Sequence, residues 1–236
     1  MKTAIITGSE GQIGQVFVNK LKELDFKVIG IDLADQVNDD IIYYNADITK
    51  KNQIESILSP HNEDISLLVN NAGVSVFQPF EDRTEDEIDT VMDVNLKANI
   101  IMSQIIFNNY FKSKNIGNII NIGSIYGVVS GDMRIYKNGD RRTPEIYGAT
   151  KAAVINLTKY FSTYMAPHNV RVNCISPGGI FNNQDPDFVE SYSRKVPMNR
   201  MGNENELLST FEYLISEQSG YITGQNIIVD GGFTIW

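Results

Sequence analysis

Residues 3–14 read TAIITGSEGQIG, an apolar run that leads into a turn with glycines at positions 8, 11 and 14. The run predicts a buried strand, and the residues after the turn predict the start of a helix. In this context the glycines allow a tight turn, a close approach of phosphate to the backbone and close helix–strand packing. The free N–H groups at the helix start can bind a pyrophosphate. The stretch therefore predicts dinucleotide binding by Gly8, Glu10, Gly11, Gln12, Ile13 and Gly14.

The same alternation of apolar runs and helical patterns continues along the chain. Further strands are predicted at 27–32, 41–47, 65–70, 118–123, 170–176 and 226–230. Helices are predicted near 12–24, 50–59, 84–112 (interrupted near Val94–Asn95), 143–161 and 204–217. Strands that are apolar on both faces and separated by helices indicate a parallel sheet covered on both sides. We therefore predict the α/β class, with residues 1–236 forming one doubly wound, Rossmann-type domain of about seven strands.

Two long polar segments, 125–143 and 178–203, are predicted as loops on the substrate side of this domain. Long loops in a compact domain commonly serve as binding loops or lids.

The composition argues against several classes of protein. A net charge of −9 disfavours a nucleic-acid-binding protein, which would carry a basic face. No apolar run approaches the ~20 residues that span a bilayer, and the N-terminal run leads into the glycine turn instead of a cleavage site. Cys174 is the single cysteine and suits a buried structural thiol, and the two histidines lack companions for a metal site. We predict a cytoplasmic globular protein without metal, nucleic-acid or membrane partners.

Asp32 ends the second predicted strand, where a carboxylate can accept hydrogen bonds from both hydroxyls of an adenosine ribose. Residues 31–40 contain four aspartates and no Lys or Arg. A 2′-phosphate would meet like charge there, so the sequence favours NAD over NADP as cofactor. Asp47, followed by Ile48, ends the third strand and could bind the adenine. A turn residue before the next helix is an equally good interpretation of Asp47.

Tyr147 and Lys151 lie four residues apart in the predicted helix 143–161. Side chains at this spacing share one helix face, and an ammonium beside a phenol favours the phenolate, which makes Tyr147 a candidate acid/base. The same spacing recurs at Tyr110 and Lys114, so the pair alone does not decide the function.

Further segments, in order along the chain, resemble the short-chain dehydrogenase/reductase family. They are NNAG at 70–73, DVNLKA at 93–98, NIGS at 121–124, Pro177 with Gly178, and VDGG at 229–232. With the glycine turn, Asp32 and the Tyr–Lys pair, the resemblance extends over nearly the whole chain. It implies an oxidoreductase that interconverts an alcohol and a carbonyl by hydride transfer with NAD(H).

The resemblance also implies a role for each matching residue. Tyr147 would exchange the hydroxyl proton, and Lys151 would bind the nicotinamide ribose. Ser124 would hold the substrate oxygen, and Asn95 would hold a water that links Lys151 to solvent. An alternative interpretation of Asn95 is a helix-kink residue that binds backbone. Residues placed near the cofactor are Asn71, Ala72, Gly73, Tyr147, Lys151, Pro177, Gly178 and Ile180.

Two features depart from the pattern of the family's short branch. The glycine spacing resembles that of the extended branch, because a short-branch member would have glycine at the position of Gln12. The distance from Ser124 to Tyr147 is 23 residues, longer than in most short-branch members. The extra residues carry a basic cluster, from which we predict substrate contacts by Arg134, Arg141 and Arg142 and hence an anionic substrate. The alternative is solvated surface charge, offset by nearby aspartates.

Several segments, among them RVNCISPGGIFNNQ at 171–184, are similar to bacterial oxidoreductases of flagellin-modification and legionaminic-acid-type sugar pathways. This similarity implies an anionic, sugar-derived substrate in surface-glycan biosynthesis. The open alternatives are a 3-oxoacyl-carrier-protein reductase or general alcohol dehydrogenase, an epimerase or dehydratase, and a non-catalytic nucleotide-binding regulatory protein. The family's habit and the apolar residues 233–236 lead us to expect a homodimer or homotetramer.

Overall fold

The computed structural model describes residues 2–37, 39–61, 64–136 and 142–236. Within these residues, seven parallel strands form one sheet in the order β3-β2-β1-β4-β5-β6-β7. The strands are β1 (Thr3–Thr7), β2 (Lys27–Asp32), β3 (Ile42–Asn45), β4 (Ile65–Asn70), β5 (Gly117–Ile122), β6 (Val170–Pro177) and β7 (Asn226–Val229). The helices are α1 (Gln12–Glu23), α2 (Lys51–Leu58), α3 (Glu85–Met92), α4 (Ala98–Ile106), α5 (Lys112–Lys114), α6 (Glu145–Met165), α7 (Pro186–Ser193) and α8 (Leu208–Ile215). The predicted fold class is confirmed.

Each face of the sheet is covered by its own apolar core. One core includes Ile5 and Phe111 and packs under α2, α4 and α6. The other includes Phe17 of α1 and Phe211 of α8, whose rings stack with centroids 4.2 Å apart. Burial on both faces explains why the strands are apolar throughout instead of alternating with polar residues.

A third apolar cluster lies outside the two cores and contacts β7 through Ile228. It consists of Ile125, Ile135, Tyr192, Val196, Met201 and Phe233, and we call it the roof cluster. Its members come from the 125–143 segment, from the region around α7 and from the last residues of the chain. Segments that are distant in sequence therefore pack together above the sheet edge.

The long helical region is interrupted where the sequence predicts. A π-helical turn at Asp93–Lys97 separates α3 from α4, and a second one follows α4 at Phe107–Phe111. Thr84 begins α3 through a capping box with Glu87, which satisfies N–H groups at the helix start. Single π-helical turns inside longer helices are frequent at functional sites.

Residues 178–203 were predicted as a loop, and this prediction is wrong for their middle part, which forms α7. Asp185 starts this helix by accepting the N–H groups of Asp187 and Phe188, and Pro186 occupies the first helical position. The described part of 125–143 also contains short 3₁₀ turns, at Ile125–Gly127 and Met133–Ile135. No helix in the described ranges is long and apolar enough to cross a bilayer.

The topology fixes where a ligand can bind. β1 pairs with β2 on one side and with β4 on the other, so the chain order reverses at β1. Open α/β sheets bind ligands at the carboxyl ends of the strands, beside such a reversal. Thr7, Asn70, Ile122 and Pro177 end β1, β4, β5 and β6 at this edge.

Candidate active site

The glycine turn joins β1 to α1, and two of its three glycines are required by the packing. Gly8 has a φ of 66°, and a Cβ there would lie 2.8 Å from the Cα of Ala72. A Cβ on Gly14 would lie 1.9 Å from the carbonyl oxygen of Gly8. A Cβ on Gly11 would make only an ordinary contact of 3.5 Å with the same oxygen. The two glycines therefore let the start of α1 pack directly against the turn that follows β1.

Asp32 lies at the carboxyl end of β2, next to this turn. Its Oδ2 accepts the N–H of Glu10 at 2.9 Å, and its Oδ1 accepts the N–H groups of Leu33 and Ala34. The Glu10 carboxylate accepts the N–H of Val37 at 2.8 Å. Two carboxylates thus lie at the predicted position of the adenosine ribose, which disfavours a 2′-phosphate.

Asp47 is held differently. Its Oδ1 accepts both the N–H and the hydroxyl of Thr49, at 2.9 and 2.7 Å, shortly before α2 begins. This geometry is that of the alternative interpretation, a turn residue ahead of a helix. Ile48 packs against the core under α2, so an adenine contact by either residue stays a prediction.

A segment after β4 is fastened to the glycine turn. Asn71 Nδ2 donates to the carbonyl oxygens of Thr7 and Gly8, at 3.2 and 2.8 Å. The N–H of Ala72 donates to the Thr7 hydroxyl at 3.1 Å. These bonds fix the carboxyl ends of β1 and β4 relative to each other.

Ser124, Tyr147 and Lys151 line one cavity of about 600 Å³ at this edge of the sheet. Lys151 is buried, donates to the carbonyl oxygen of Ile122 at 2.8 Å and lies 5.6 Å from the centre of the Tyr147 ring. Ser124 Oγ accepts the N–H of Tyr126 at 3.1 Å, which orients the hydroxyl at the end of β5. The structure thus brings together the three residues to which the family resemblance gives roles in proton transfer and substrate binding.

Asn95 lies in the π-helical turn and is nearly fully buried. Its side chain accepts the N–H of Val74 at 2.8 Å and donates to the Val74 carbonyl at 2.9 Å, as the kink-residue interpretation predicts. Asn95 Oδ1 and Lys151 Nζ approach the same glycine, because a Cβ on Gly73 would be 3.4 Å from each of them. The structural role and the predicted water-holding role are therefore compatible.

Other tyrosines lie in or near this region, and their surroundings separate them from Tyr147. Burial raises the pKa of Tyr126 far above its ordinary value and that of Tyr192 to about 12, so both remain phenols at neutral pH. Tyr110 is buried in the core, where its hydroxyl donates to the Leu58 carbonyl at 2.8 Å. Tyr110 therefore belongs to the core and not to the cavity, and its companion Lys114 lies at the surface, where it pairs with Asp64.

The buried thiol of Cys174 is not expected to react as a nucleophile. Burial raises its pKa to about 11, which leaves almost no thiolate at neutral pH. The predicted structural role of this cysteine agrees with its position inside β6.

The predicted cofactor residues divide into two groups. The first group lines the cavity and comprises Ile13, Asn71, Gly73, Tyr147, Lys151, Pro177, Gly178 and Ile180. The second group is not part of the lining and comprises Gly8, Glu10, Gly11, Gln12, Gly14, Asp32, Asp47, Ile48 and Ala72. Its members lie on the glycine turn, at the ends of β2 and β3 and after β4, as expected for a ligand that extends along the sheet edge.

Arg134, a predicted substrate residue, lies at the surface, and a substrate contact by it stays a prediction. Its side chain is 85% exposed, pairs with Asp132 at 2.7 Å and is not among the cavity-lining residues. Lys195, which follows α7, pairs with the same carboxylate. Asp132 thereby neutralises the guanidinium at the surface. Arg142 is exposed and also outside the lining, and Arg141 lies outside the described residues.

Sequence reasoning missed the aromatic wall of the cavity. The wall consists of Phe77, Tyr126, Tyr136, Phe188 and Tyr192. The Tyr136 ring lies 5.4 Å from that of Phe188, so this contact joins the 125–143 segment to α7. The spacing of Phe188 and Tyr192, four residues apart after Asp185–Pro186, was an available signal for one apolar helix face.

Comparisons with known proteins agree with this architecture. A family model described as enoyl-(acyl carrier protein) reductase matches residues 13–234. An NAD-dependent glycerol dehydrogenase from Listeria innocua serovar 6a is 30% identical over 250 residues, which cover 99% of this chain and 94% of that protein. A 3-oxoacyl-(acyl-carrier-protein) reductase from Thermotoga maritima is 29% identical over 252 residues, which cover 99% of this chain and 98% of the relative.

A solved short-chain dehydrogenase from Leptospira borgpetersenii serovar Hardjo-bovis, with bound NAD⁺, is 45% identical and superposes with a TM-score of 0.93. The alignment covers 99% of this chain and 93% of that one. The bound NAD⁺ of this relative agrees with the preference inferred from Asp32. The fold, the order of the site residues and these similarities lead to one conclusion: the chain belongs to the short-chain dehydrogenase/reductase family of oxidoreductases.

Proposed function

We propose that this oxidoreductase interconverts an alcohol and a carbonyl with NAD(H), and that Tyr147 transfers the hydroxyl proton. One observation supports the proposal most directly: Ser124, Tyr147 and Lys151 share a cavity with Asn71 and Gly178. The cavity is closed on one side by aromatic rings, as expected of a site that sequesters a small substrate.

When bound, NAD(H) would supply or accept the hydride. Tyr147 would give its proton to the substrate oxygen during reduction and take it back during oxidation. Ser124 would donate a hydrogen bond to that oxygen, since its own Oγ accepts the backbone N–H of Tyr126. Lys151 would stabilise the Tyr147 phenolate, because its buried ammonium lies beside the ring and away from bulk water.

A spectrophotometric panel tests this proposal. The alcohols in the panel are polyols, phosphosugars, nucleotide sugars and hydroxyacyl thioesters, each tested with NAD⁺. The matching carbonyls are tested with NADH, and turnover is followed by the change in nicotinamide absorbance. Turnover of at least one pair is expected, with NAD(H) preferred over NADP(H). Tight NADH binding without turnover of any pair would favour the regulatory alternative.

Asp32→Ala is expected to weaken NADH binding about 10-fold or more, because the ribose hydroxyls lose a charged acceptor. Asp35→Ala is the matched control, since it removes the same charge from an exposed position in the same stretch. NADH titration by fluorescence measures both variants. Equal effects would show that net charge, and not a ribose contact, sets the affinity.

We further propose an anionic, sugar-derived substrate in bacterial surface-glycan biosynthesis. Support comes from the sequence: Arg141 and Arg142 lie in the segment between Ser124 and Tyr147, and its flanking residues Tyr136 and Thr143 line the cavity. Aromatic rings on the wall suit the apolar faces of a sugar. The carboxylates of Asp185 and Asp187, which also line the cavity, would instead favour a neutral polyol.

Arg141→Ala combined with Arg142→Ala separates these substrates. For an anionic substrate we expect KM to rise about 10-fold or more, with little change for a neutral one. Arg134→Ala is the matched control, since this side chain pairs with Asp132 outside the cavity lining. If the double variant raised KM equally for anionic and neutral substrates, Arg141 and Arg142 would have no role in substrate recognition. The same would follow if Arg134→Ala raised KM as much as the double variant.

We also propose a homodimer or homotetramer. Tyr160 and Tyr164 of α6 stack on each other and are 59% and 60% exposed, and Ile100 of α4 is exposed as well. A surface of this kind is commonly covered by another chain. Light scattering of the purified protein would refute the proposal by giving a monomer mass at micromolar concentration.

A further inference from the structure

Gln12 occupies the first position of α1, where the short-branch pattern has glycine, and its side-chain amide nitrogen has two hydrogen-bond partners. Its Nε2 donates to the carbonyl oxygen of Phe181 at 2.7 Å and to Glu204 Oε2 at 3.0 Å. A primary amide has two N–H donors, so both are used. The two acceptors lie far along the chain, 169 and 192 residues after Gln12.

Phe181 lies near the start of residues 179–202. We call these residues the lid segment because they include α7, whose Phe188 and Tyr192 line the cavity. The base of the lid segment is closed by backbone hydrogen bonds: Phe181 N–H donates to the Gly202 carbonyl, and Gly202 N–H donates to the Gly179 carbonyl, both at 2.9 Å. Ile180 pairs with Gly202 as a parallel bridge and lines the cavity. A bond to Phe181 therefore acts on the backbone next to a cavity residue.

Glu204 begins the 3₁₀ turn Glu204–Leu207 that leads into α8. The capping box of Asn203 fixes this turn, and α8 packs on α1 through the Phe17–Phe211 stack. Gln12 thus connects the glycine turn to both the entry and the exit of the lid segment.

We propose that Gln12 is a positioning residue that fastens the lid segment to the glycine turn, so that coenzyme release requires its hydrogen bonds to open. The inference rests on the coenzyme placement in the proposed function. A ligand whose pyrophosphate lies on the turn and whose nicotinamide lies near Ile180 would pass directly beside this connection. The connection would hold the pyrophosphate and nicotinamide parts of the coenzyme site at a fixed separation.

Glutamine at position 12 suits this role, whereas glycine or a carboxylate at the same position would not. Glycine has no side chain to reach Phe181. A carboxylate at this position would face the Phe181 carbonyl and the Glu204 carboxylate, both of which are acceptors. The glutamine amide supplies one N–H donor to each partner.

Three variants test the proposal: Gln12→Ala, Gln12→Glu and the exchange Gln12→Glu with Glu204→Gln. Gln12→Ala is expected to raise the NADH dissociation constant and its dissociation rate about 10-fold, because two hydrogen bonds are lost, one of them to a carboxylate. Gln12→Glu is expected to do more, and the exchange is expected to recover part of that loss because it restores a donor–acceptor pair. Gln104→Ala, on the exposed side of α4, is the control and is expected to match the wild type.

Stopped-flow fluorescence gives the NADH dissociation rate, and single turnover at saturating coenzyme gives the hydride-transfer rate. The proposal requires the NADH dissociation rate to rise while the hydride-transfer rate changes less than about twofold. A fall in melting temperature with an unchanged NADH dissociation rate would overturn it and leave a purely structural role. Unchanged NADH affinity in Gln12→Ala alongside a loss in Asp32→Ala would overturn this inference alone. Unchanged affinity in both would overturn the proposed coenzyme site.

Discussion

Tyr147→Phe is expected to lower kcat by about 10²–10⁴-fold or more, because the variant has no group to exchange the hydroxyl proton. The change removes one oxygen from a half-buried ring, so α6 and the cavity wall should keep their positions. NADH binding is expected to stay within about threefold of the wild type, since Lys151 and the glycine turn are untouched. Steady-state kinetics and NADH titration measure the two effects separately.

Tyr110→Phe is the matched control for this experiment. Tyr110 has the same spacing to a lysine, Lys114, but its hydroxyl donates to the Leu58 carbonyl inside the core. We expect this variant to lose about 1 kcal/mol of stability and to keep its kcat. If Tyr147→Phe retained substantial turnover, or if both variants lost activity equally, Tyr147 would not be the proton-transfer residue.

Gly14→Ala is expected to destabilise the protein strongly. Its Cβ would overlap the Gly8 carbonyl oxygen at 1.9 Å, so α1 would have to move away from the turn. Phe17 and Leu21 of α1 are buried in a core, so moving α1 would also disturb the packing of that core. We expect a loss of about 3 kcal/mol, or a fall in melting temperature of about 6–12 °C for a chain of this size. Thermal unfolding followed by circular dichroism measures it.

Gly11→Ala provides the contrast within the same turn. Its Cβ would make an ordinary contact of 3.5 Å, and the backbone of Gly11 has φ −73° and ψ 164°, which any residue can adopt. The stability change is expected to be about 1 kcal/mol or less. A weaker affinity for NADH with normal stability would show that Gly11 serves coenzyme approach, while equal destabilisation of both variants would contradict the packing described for Gly14.

The features that could be predicted from sequence are those fixed by local pattern. The glycine turn, the ends of most strands and the shared face of Tyr147 and Lys151 each depend on residues within one or two turns of chain. The interruption at Asn95 was predictable for the same reason. Parallel strands joined by helix-containing crossovers then place these local features at one sheet edge, because the carboxyl ends of the strands coincide there.

The features that could not be predicted depend on pairing between distant segments. Arg134 was expected to face the substrate, but its guanidinium forms an ion pair with Asp132. Lys195, which follows α7, pairs with the same carboxylate. Likewise, Gln12 gave no sign in the sequence that it would reach Phe181. A charge run or a lone amide shows the donors available, but only the folded chain decides which acceptors they meet.

The roof cluster has its own consequence for how such a chain can change over evolutionary time. Its apolar residues are distinct from the two cores that sandwich the sheet, and they adjoin the substrate side of the cavity. Substitutions around Ile135 can therefore reshape the substrate side of the cavity while the two cores keep their packing. Selection for a new substrate can act on one module of the protein with little penalty to the other.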